Sequence, residues 1–214
     1  MKNIIFIAAP AAVKGTYSEI LEQKYNSEHV STGDLLRNEK KKGTELGIKV
    51  AELMESGALV PDDIVLKLLK QHIEEIGNTK KIILDGVPRN MNQVGPVLEM
   101  LDNLGDYVVI YLDVTIDEAM KRTIGRLTCP HCKKGYNKLI DDFKPKVDNI
   151  CDNCGNELLS RSDDNEETFK VRYDTYMSET APLIEYFKGV DNLIVINANL
   201  KVEDNLPQIE RAIL

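Results

Sequence analysis

The sequence predicts an α/β fold, a five-stranded parallel sheet flanked by helices, and three observations lead to it. Short apolar runs at residues 4–7, 28–31, 81–85, 107–113 and 193–196 alternate with helical patterns along a chain of 214 residues. That alternation is the signature of parallel βαβ units. The first run passes through a tight turn carrying Lys14 into a helical pattern at Tyr17, Ile20, Leu21 and Tyr25. Turns of this kind aim backbone N–H groups and a helix N-terminus at one point, which suits phosphate. The third run ends on Asp85, and open parallel sheets bind ligands at the carboxyl ends of their strands.

Length and composition narrow the function. With 43% hydrophobic residues the chain can bury a sizeable core, as one domain with insertions or two small ones. A net charge of −8 argues against a nucleic-acid surface, which is usually basic, while leaving room for a local basic pocket. No apolar run reaches the ~18 residues of a membrane helix. Four cysteines in two Cys-x-x-Cys pairs fit a reduced compartment and a metal site, so the expected location is cytoplasmic. The first residues imitate a secretory signal, but cleavage there would remove the strand that starts the fold.

The elements follow in order. After the first helix, residues 28–31 form a short strand, and Ser31 or Thr32 caps a helix through Asp34 and Arg37. A second helix runs from residue 44 to about 55, with Leu46, Val50, Leu53 and Met54 on one face, and Gly57 ends it. Pro61-Asp62-Asp63 starts another, striped by Ile64, Leu66, Leu68, Leu69 and Ile73. This helical stretch reads as an insert between strands. Residues 81–85 are the next strand, continuing as Gly86-Val87-Pro88-Arg89; the tetrapeptide alone could be a turn with a solvated arginine. A helix over 90–104 and a strand over 107–113 come next. Thr115 then caps a helix reaching Arg122 and Gly125-Arg126. Ser162-Asp163-Asp164 starts a pattern through Phe169, Val171, Tyr173 and Tyr176, with Arg161 and Arg172 along it. Residues 193–196 are the last strand and 202–214 the last helix.

Residues 127–160 break the alternation. Cys129-Pro130-His131-Cys132 and Cys151-Asp152-Asn153-Cys154 are separated by the 18 residues 133–150. The spacing matches paired zinc knuckles. Four thiolates leave no open position, so the zinc expected at Cys129, Cys132, Cys151 and Cys154 is structural, stapling a segment too small to own a core. The other reading is four unliganded thiols.

The Lys14 turn is a damaged phosphate loop. Against Gly-x-x-x-x-Gly-Lys-Ser/Thr, Ala8 and Val13 take the glycine positions and the hydroxyl arrives one place late, as Thr16. From this stretch alone, an ordinary strand–helix connection with a surface lysine is an equal alternative.

The chain as a whole resembles an adenylate kinase of the long form with a zinc-bearing lid. The resemblance runs from residue 2 to about 200. It rests on Ser31-Thr32-Gly33-Asp34-Leu35-Leu36-Arg37, Asp85-Gly86-Val87-Pro88-Arg89, Gly125-Arg126, the cysteine quartet, Arg161-Ser162-Asp163-Asp164 and Arg172. It implies a P-loop nucleoside monophosphate kinase fold: core segments 1–30, 61–121 and 162–214, a helical AMP-binding insert at 31–60 and a zinc lid at 122–161. It implies phosphoryl transfer from ATP to AMP with ADP as product, a Mg²⁺ carried with ATP, and a monomer without nucleic-acid or membrane partners. Lys14, Asp85, Arg89, Arg126, Arg161 and Arg172 would be catalytic. Ala11, Ala12, Val13, Lys14, Gly15, Thr16, Arg122, Arg126, Tyr136 and Ala198 would bind ATP. Thr32, Arg37, Met54, Ala58, Leu59, Val60, Gly86, Arg89, Gln93, Arg161 and Arg172 would bind AMP. Asp34 and Asp85 would organise Mg²⁺ through water. Guanidinium forks suit this reaction, which needs two polyanions held in line and their charge neutralised.

The departures cluster on the donor side. The family loop reads Gly-x-Pro-Gly-x-Gly-Lys-Gly-Thr; this chain keeps Pro10, Lys14, Gly15 and Thr16 but has Ala8, Ala11 and Val13. The family's Asp-Gly after the last strand is Asn197-Ala198, and Leu127 replaces an arginine. On the acceptor side the one departure is Val87, which stands where the family has an aromatic. Three functions follow: an adenylate kinase with weakened donor binding, a catalytically impaired nucleotide-binding relative or sensor, and a kinase for another triphosphate.

Overall fold

The computed structural model describes all residues, 1–214. Five parallel strands form one sheet in the order β2-β3-β1-β4-β7, with β1 (Asn3–Ala8), β2 (Ser27–Ser31), β3 (Lys81–Asp85), β4 (Tyr107–Asp113) and β7 (Leu193–Asn197). The register pairs Phe6 with Asp85 and with Ile110, which brings the ends of β1 and β3 together. β1 shows why the run is a strand. Ile4 and Phe6 belong to one buried cluster and Ile5 and Ile7 to the other, because successive side chains leave opposite faces. Both faces are therefore covered, as a parallel sheet requires.

One face is covered by α1 (Lys14–Tyr25), α7 (Glu166–Thr175) and α9 (Val202–Ile213), which contribute Tyr17, Phe169 and Ile209. The other is covered by α4 (Asp62–Ile76), α5 (Met91–Asp102) and α8 (Pro182–Gly189), through Leu69, Val97 and Phe187. Full burial of one such side chain contributes about 1.5–3 kcal/mol. Between β2 and α4 lie α2 (Thr32–Lys41) and α3 (Glu45–Ser56); Ser31 caps α2 by accepting from Asp34 N at 3.3 Å. After α6 (Ile116–Ile124), β5 (Arg126–Thr128) pairs antiparallel with β6 (Gly135–Asn137) in a separate two-stranded sheet. Its small core is Leu127, Cys129, Tyr136, Cys151 and Leu158. No helix is long and apolar enough to cross a membrane.

Several local expectations are corrected. The buried face of α4 is Val65, Leu69 and Ile73, a strict four-residue spacing, while Ile64, Leu66 and Leu68 flank it half-buried. Leu46 is exposed, leaving Val50 as the buried apolar residue of α3. Arg126 lies in β5 rather than in the preceding helix. Thr115 is the N-cap residue of α6, but its side chain makes no bond to the helix; its hydroxyl donates to Asn199 Oδ1 at 3.1 Å. α7 begins at Glu166, capped by Asn165, so Ser162, Asp163 and Asp164 precede it. Two aspartates are thereby freed for the arginines described next.

Candidate functional site

A cavity of about 610 Å³ runs along the carboxyl ends of the strands, between the core and the two-stranded segment. Its floor is the turn from β1 to α1. Val13 is the N-cap of α1 at φ 56°, ψ 23°, and it offers no side-chain oxygen to the helix. Ala11 also lies at positive φ, 59°. Val13 O accepts from Thr16 N at 3.1 Å and Tyr17 N at 3.3 Å, which closes the first turn. A helix end without a side-chain cap, alternating with left-handed residues, is an anion-binding geometry. The left-handed region admits glycine freely and a β-branched residue only under strain.

Cations crowd the cavity wall: Lys14, Arg37, Arg89, Arg122, Arg126, Lys133, Arg161 and Arg172. Burial lowers the Lys14 pKa, partly opposed by Asp85, and Arg89, Arg172 and Arg126 push it further down. Arg161 falls to about 10 through burial and the nearby Arg126 and Arg37. Arg172 is lowered by burial and by Arg126. Burial and this mutual repulsion together favour a polyanion bound between the groups.

Carboxylates hold the cations in place. Arg126 Nε donates to Asp164 Oδ2 at 2.7 Å and its Nη2 to Asp164 Oδ1. Arg172 Nη1 donates to Asp163 Oδ2 at 3.1 Å and lies 3.8 Å from Asp164. Arg37 forks onto Asp34 Oδ1, at 2.7 Å from Nη2 and 3.1 Å from Nε. Arg89 Nε donates to Gly86 O at 2.9 Å. Arg122 donates from Nε to Glu118 at 2.8 Å, while its buried Nη1 has no protein partner. Asp85 lies 3.9 Å from Lys14 and 3.4 Å from His29. Burial alone would raise the Asp85 carboxyl, but His29, Lys14 and Arg89 together hold it below the ordinary range. It therefore stays ionised beside the loop, a suitable anchor for the water shell of a hard cation.

The predicted residues divide into three groups. Ala11, Ala12, Val13, Lys14, Gly15, Thr16, Asp34, Arg37, Leu59, Asp85, Gly86, Arg89, Arg122, Arg126, Tyr136, Arg161 and Arg172 line the cavity. Thr32, Val60 and Gln93 are buried behind it, Met54 is half-buried and Ala58 exposed. Thr32 Oγ1 donates to Gly86 O at 2.9 Å and so shapes the wall from behind. Ala198 is fully buried in the core cluster with its N–H on Asp113 O at 2.7 Å, and it is absent from the cavity lining. Sequence reading missed His29, Lys133, Asn137, Ile140, Phe143 and Tyr176 on the wall. Phe143, the one phenylalanine between residues 127 and 160, was the signal available for an aromatic there. It also missed Asp163 and Asp164, whose motif was noticed without a role.

The four cysteine sulfurs lie within 4.8 Å of one another. Cys129 Sγ and Cys154 Sγ are 3.4 Å apart, Cys132 Sγ and Cys151 Sγ 3.5 Å. A tetrahedron with metal–sulfur bonds of ~2.3 Å has edges of ~3.8 Å, so the donor set fits one zinc-sized ion. Tyr136 Oη lies 3.5 Å from Cys151 Sγ and accepts from Asp152 N at 2.8 Å, bracing the second knuckle.

Comparison with known proteins agrees with this geometry. A family profile described as adenylate kinase matches residues 6–192. The adenylate kinase of Fervidobacterium nodosum is 39% identical over 204 residues, covering 94% of this chain and 93% of that protein. That of Kosmotoga olearia is 40% identical over 203 residues, covering 94% of each. The one from Acetivibrio thermocellus is 37% identical over 213 residues, covering 99% and 97%.

Proposed function

The chain belongs to the adenylate kinase family, and from that premise we propose the finer assignment: reversible transfer of the terminal phosphoryl group of ATP to AMP, giving two ADP, with weakened use of the donor. It is a nucleoside monophosphate kinase. The observation that carries the finer reading is the set of eight cations on one wall, several with pKa values lowered by burial and then by one another. In the reaction an oxygen of the AMP phosphate bonds to the γ-phosphorus as the bridge to the β-phosphate breaks. The chain supplies position and charge and forms no covalent intermediate. Lys14 and the N-terminus of α1 hold the donor's phosphates. Arg37 and Arg89 hold the acceptor phosphate. Arg126, Arg161 and Arg172 surround the group in flight, and Gln93 reads the acceptor base. Arg122, with a buried N–H free of protein partners, faces the donor.

Adenylate kinases use Mg²⁺ with ATP, and here Asp34 and Asp85 would hold its water shell. Bound there, the ion would help neutralise the negative charge of the donor's phosphates. Segments 31–60 and 122–161 act as the acceptor insert and the lid, on a monomer whose four thiols suit a cytoplasmic location. Coupled ADP formation with AMP and a panel of nucleoside triphosphates tests the assignment. ATP is expected to be used, with an elevated KM. Turnover with another triphosphate but not ATP would favour a different donor, and AMP binding without turnover a sensor.

Zinc in the lid has its own test. Metal analysis should find one zinc per chain, and a strong chelator should lower the melting temperature through loss of the segment around Leu127 and Tyr136. The site holds the lid's small core together, and structural zinc sites contribute folding free energy directly. A chain that purifies without zinc, or melts unchanged after chelation, would count against it.

A further inference from the structure

Behind the acceptor side of the cavity lies a carboxylate to which the reaction assigns no task. Asp62 is the first residue of α4, half-buried, and its Oδ1 accepts two hydrogen bonds: from Gln93 Nε2 at 2.6 Å and from Asn90 Nδ2 at 2.9 Å. Gln93 Oε1 in turn accepts from Arg89 N at 2.7 Å, and Thr180 Oγ1 donates to Arg89 O at 2.7 Å. The amide orientation of Gln93 is thus chemically forced. A carboxylate accepts only, so the nitrogen faces Asp62; a peptide N–H donates only, so the oxygen faces Arg89. Both contacts demand the same one of the two orientations an amide can take.

That choice matters for a base reader. Gln93 is buried behind the cavity wall, and once these contacts are made it retains one N–H and one oxygen lone pair for a base that reaches it. Adenine presents a donor at N6 beside an acceptor at N1, whereas hypoxanthine presents an acceptor at O6 beside a donor. An amide in one orientation matches the first edge, and the flipped amide matches the second. We propose that Asp62 is a positioning residue for acceptor selection: it fixes the Gln93 amide, and through it the main chain of Arg89, so that a 6-amino purine monophosphate is preferred to a 6-oxo one. This rests on the reading of Gln93 and Arg89 as acceptor-binding residues.

The test compares Asp62→Ala, Asp62→Asn and a control, Asp63→Asn, in the full-length protein. Asp63 shares the first turn of α4 but is exposed, so its neutralisation reports any effect of helix-end charge alone. Kinetics are measured with AMP and with IMP at saturating ATP, KM for ATP is measured separately, and AMP binding is followed by calorimetry. Asp62→Ala should raise KM for AMP about tenfold and lower the AMP-over-IMP preference to a similar extent, the loss expected for one charge-assisted hydrogen bond. Turnover at saturating AMP and KM for ATP should stay within about threefold. Asp62→Asn, which keeps one carbonyl acceptor, should fall between, and it decides the matter if the alanine variant folds poorly. An unchanged KM for AMP and unchanged base preference would overturn the proposal. So would equal effects from Asp63→Asn. If the unmodified chain shows no calorimetric AMP binding, the acceptor reading itself fails, and this proposal with it.

Discussion

Arg126→Lys should lower turnover by about 10²–10³-fold while leaving the KM values and the melting temperature close to those of the unmodified chain. Arg126 lines the cavity, and both its fork nitrogens face Asp164, whose side chain is fully buried. Asp164 therefore fixes the plane of the guanidinium at the cavity wall. A lysine keeps the charge beside Asp164 but presents a point cation instead of a planar fork. Ground-state binding shared among eight cations changes little. Charge that develops on the transferring group loses a pre-aimed donor, a cost of about 2.7–4 kcal/mol at comparable sites. Lysine is the informative substitution because alanine would strand the Asp164 carboxylate in the interior and mix folding with chemistry. Steady-state kinetics in both directions and a thermal melt provide the measurement. A fall in turnover of less than about fivefold would remove Arg126 from the catalytic group, and a large rise in KM alone would make it a binding residue.

The sheet was legible because each strand run carries its own period. In β1 alternate residues enter opposite clusters, and no helix accommodates that division of Ile4–Ile7. The cysteine quartet was legible from spacing alone, since two Cys-x-x-Cys turns with a suitable separation can meet at one point. Partners of charged groups were harder. Ser162-Asp163-Asp164 has the composition of a helix start, but Asn165 takes the cap because the aspartates gain more by pairing with Arg126 and Arg172. For Asp164 that choice depends on Arg126, 38 residues away, and leaves no local trace. The placing of Ala198 was illegible for a related reason. Resemblance placed it at the donor, yet the small side chain packs fully into the core beyond β7. The Asp62–Gln93–Arg89 chain joins two helices and a turn, and no pattern along the sequence announces it.

Restoring glycine in the phosphate loop, with Ala8→Gly, Ala11→Gly and Val13→Gly together, should improve ATP use by about ten- to several-hundred-fold and leave AMP binding unchanged. Val13 is held at φ 56° and Ala11 at φ 59°, the left-handed region where a side chain costs on the order of 1–3 kcal/mol. The valine is the larger cost because its Cβ is branched; alanine is the mildest replacement for glycine. The strain matters because of where it sits. Val13 caps α1, its carbonyl closes the first turn, and Lys14 follows it into the cavity. If donor phosphates require the loop to tighten, the strain rises on binding. If the loop relaxes instead, an N–H contact to phosphate is lost, at roughly 1.5–3 kcal/mol for a charge-assisted bond. Both routes penalise the donor and spare the acceptor, because Arg37, Arg89 and Gln93, the residues proposed to hold it, lie on other elements. Separate calorimetric titrations of ATP and AMP, followed by kinetics of the triple variant, distinguish the sides. The single change Val13→Gly should recover most of the gain. Equal ATP affinity and turnover in the unmodified and triple-glycine proteins would show that this loop binds phosphate well in its present conformation. Weakened donor use would then have to be abandoned.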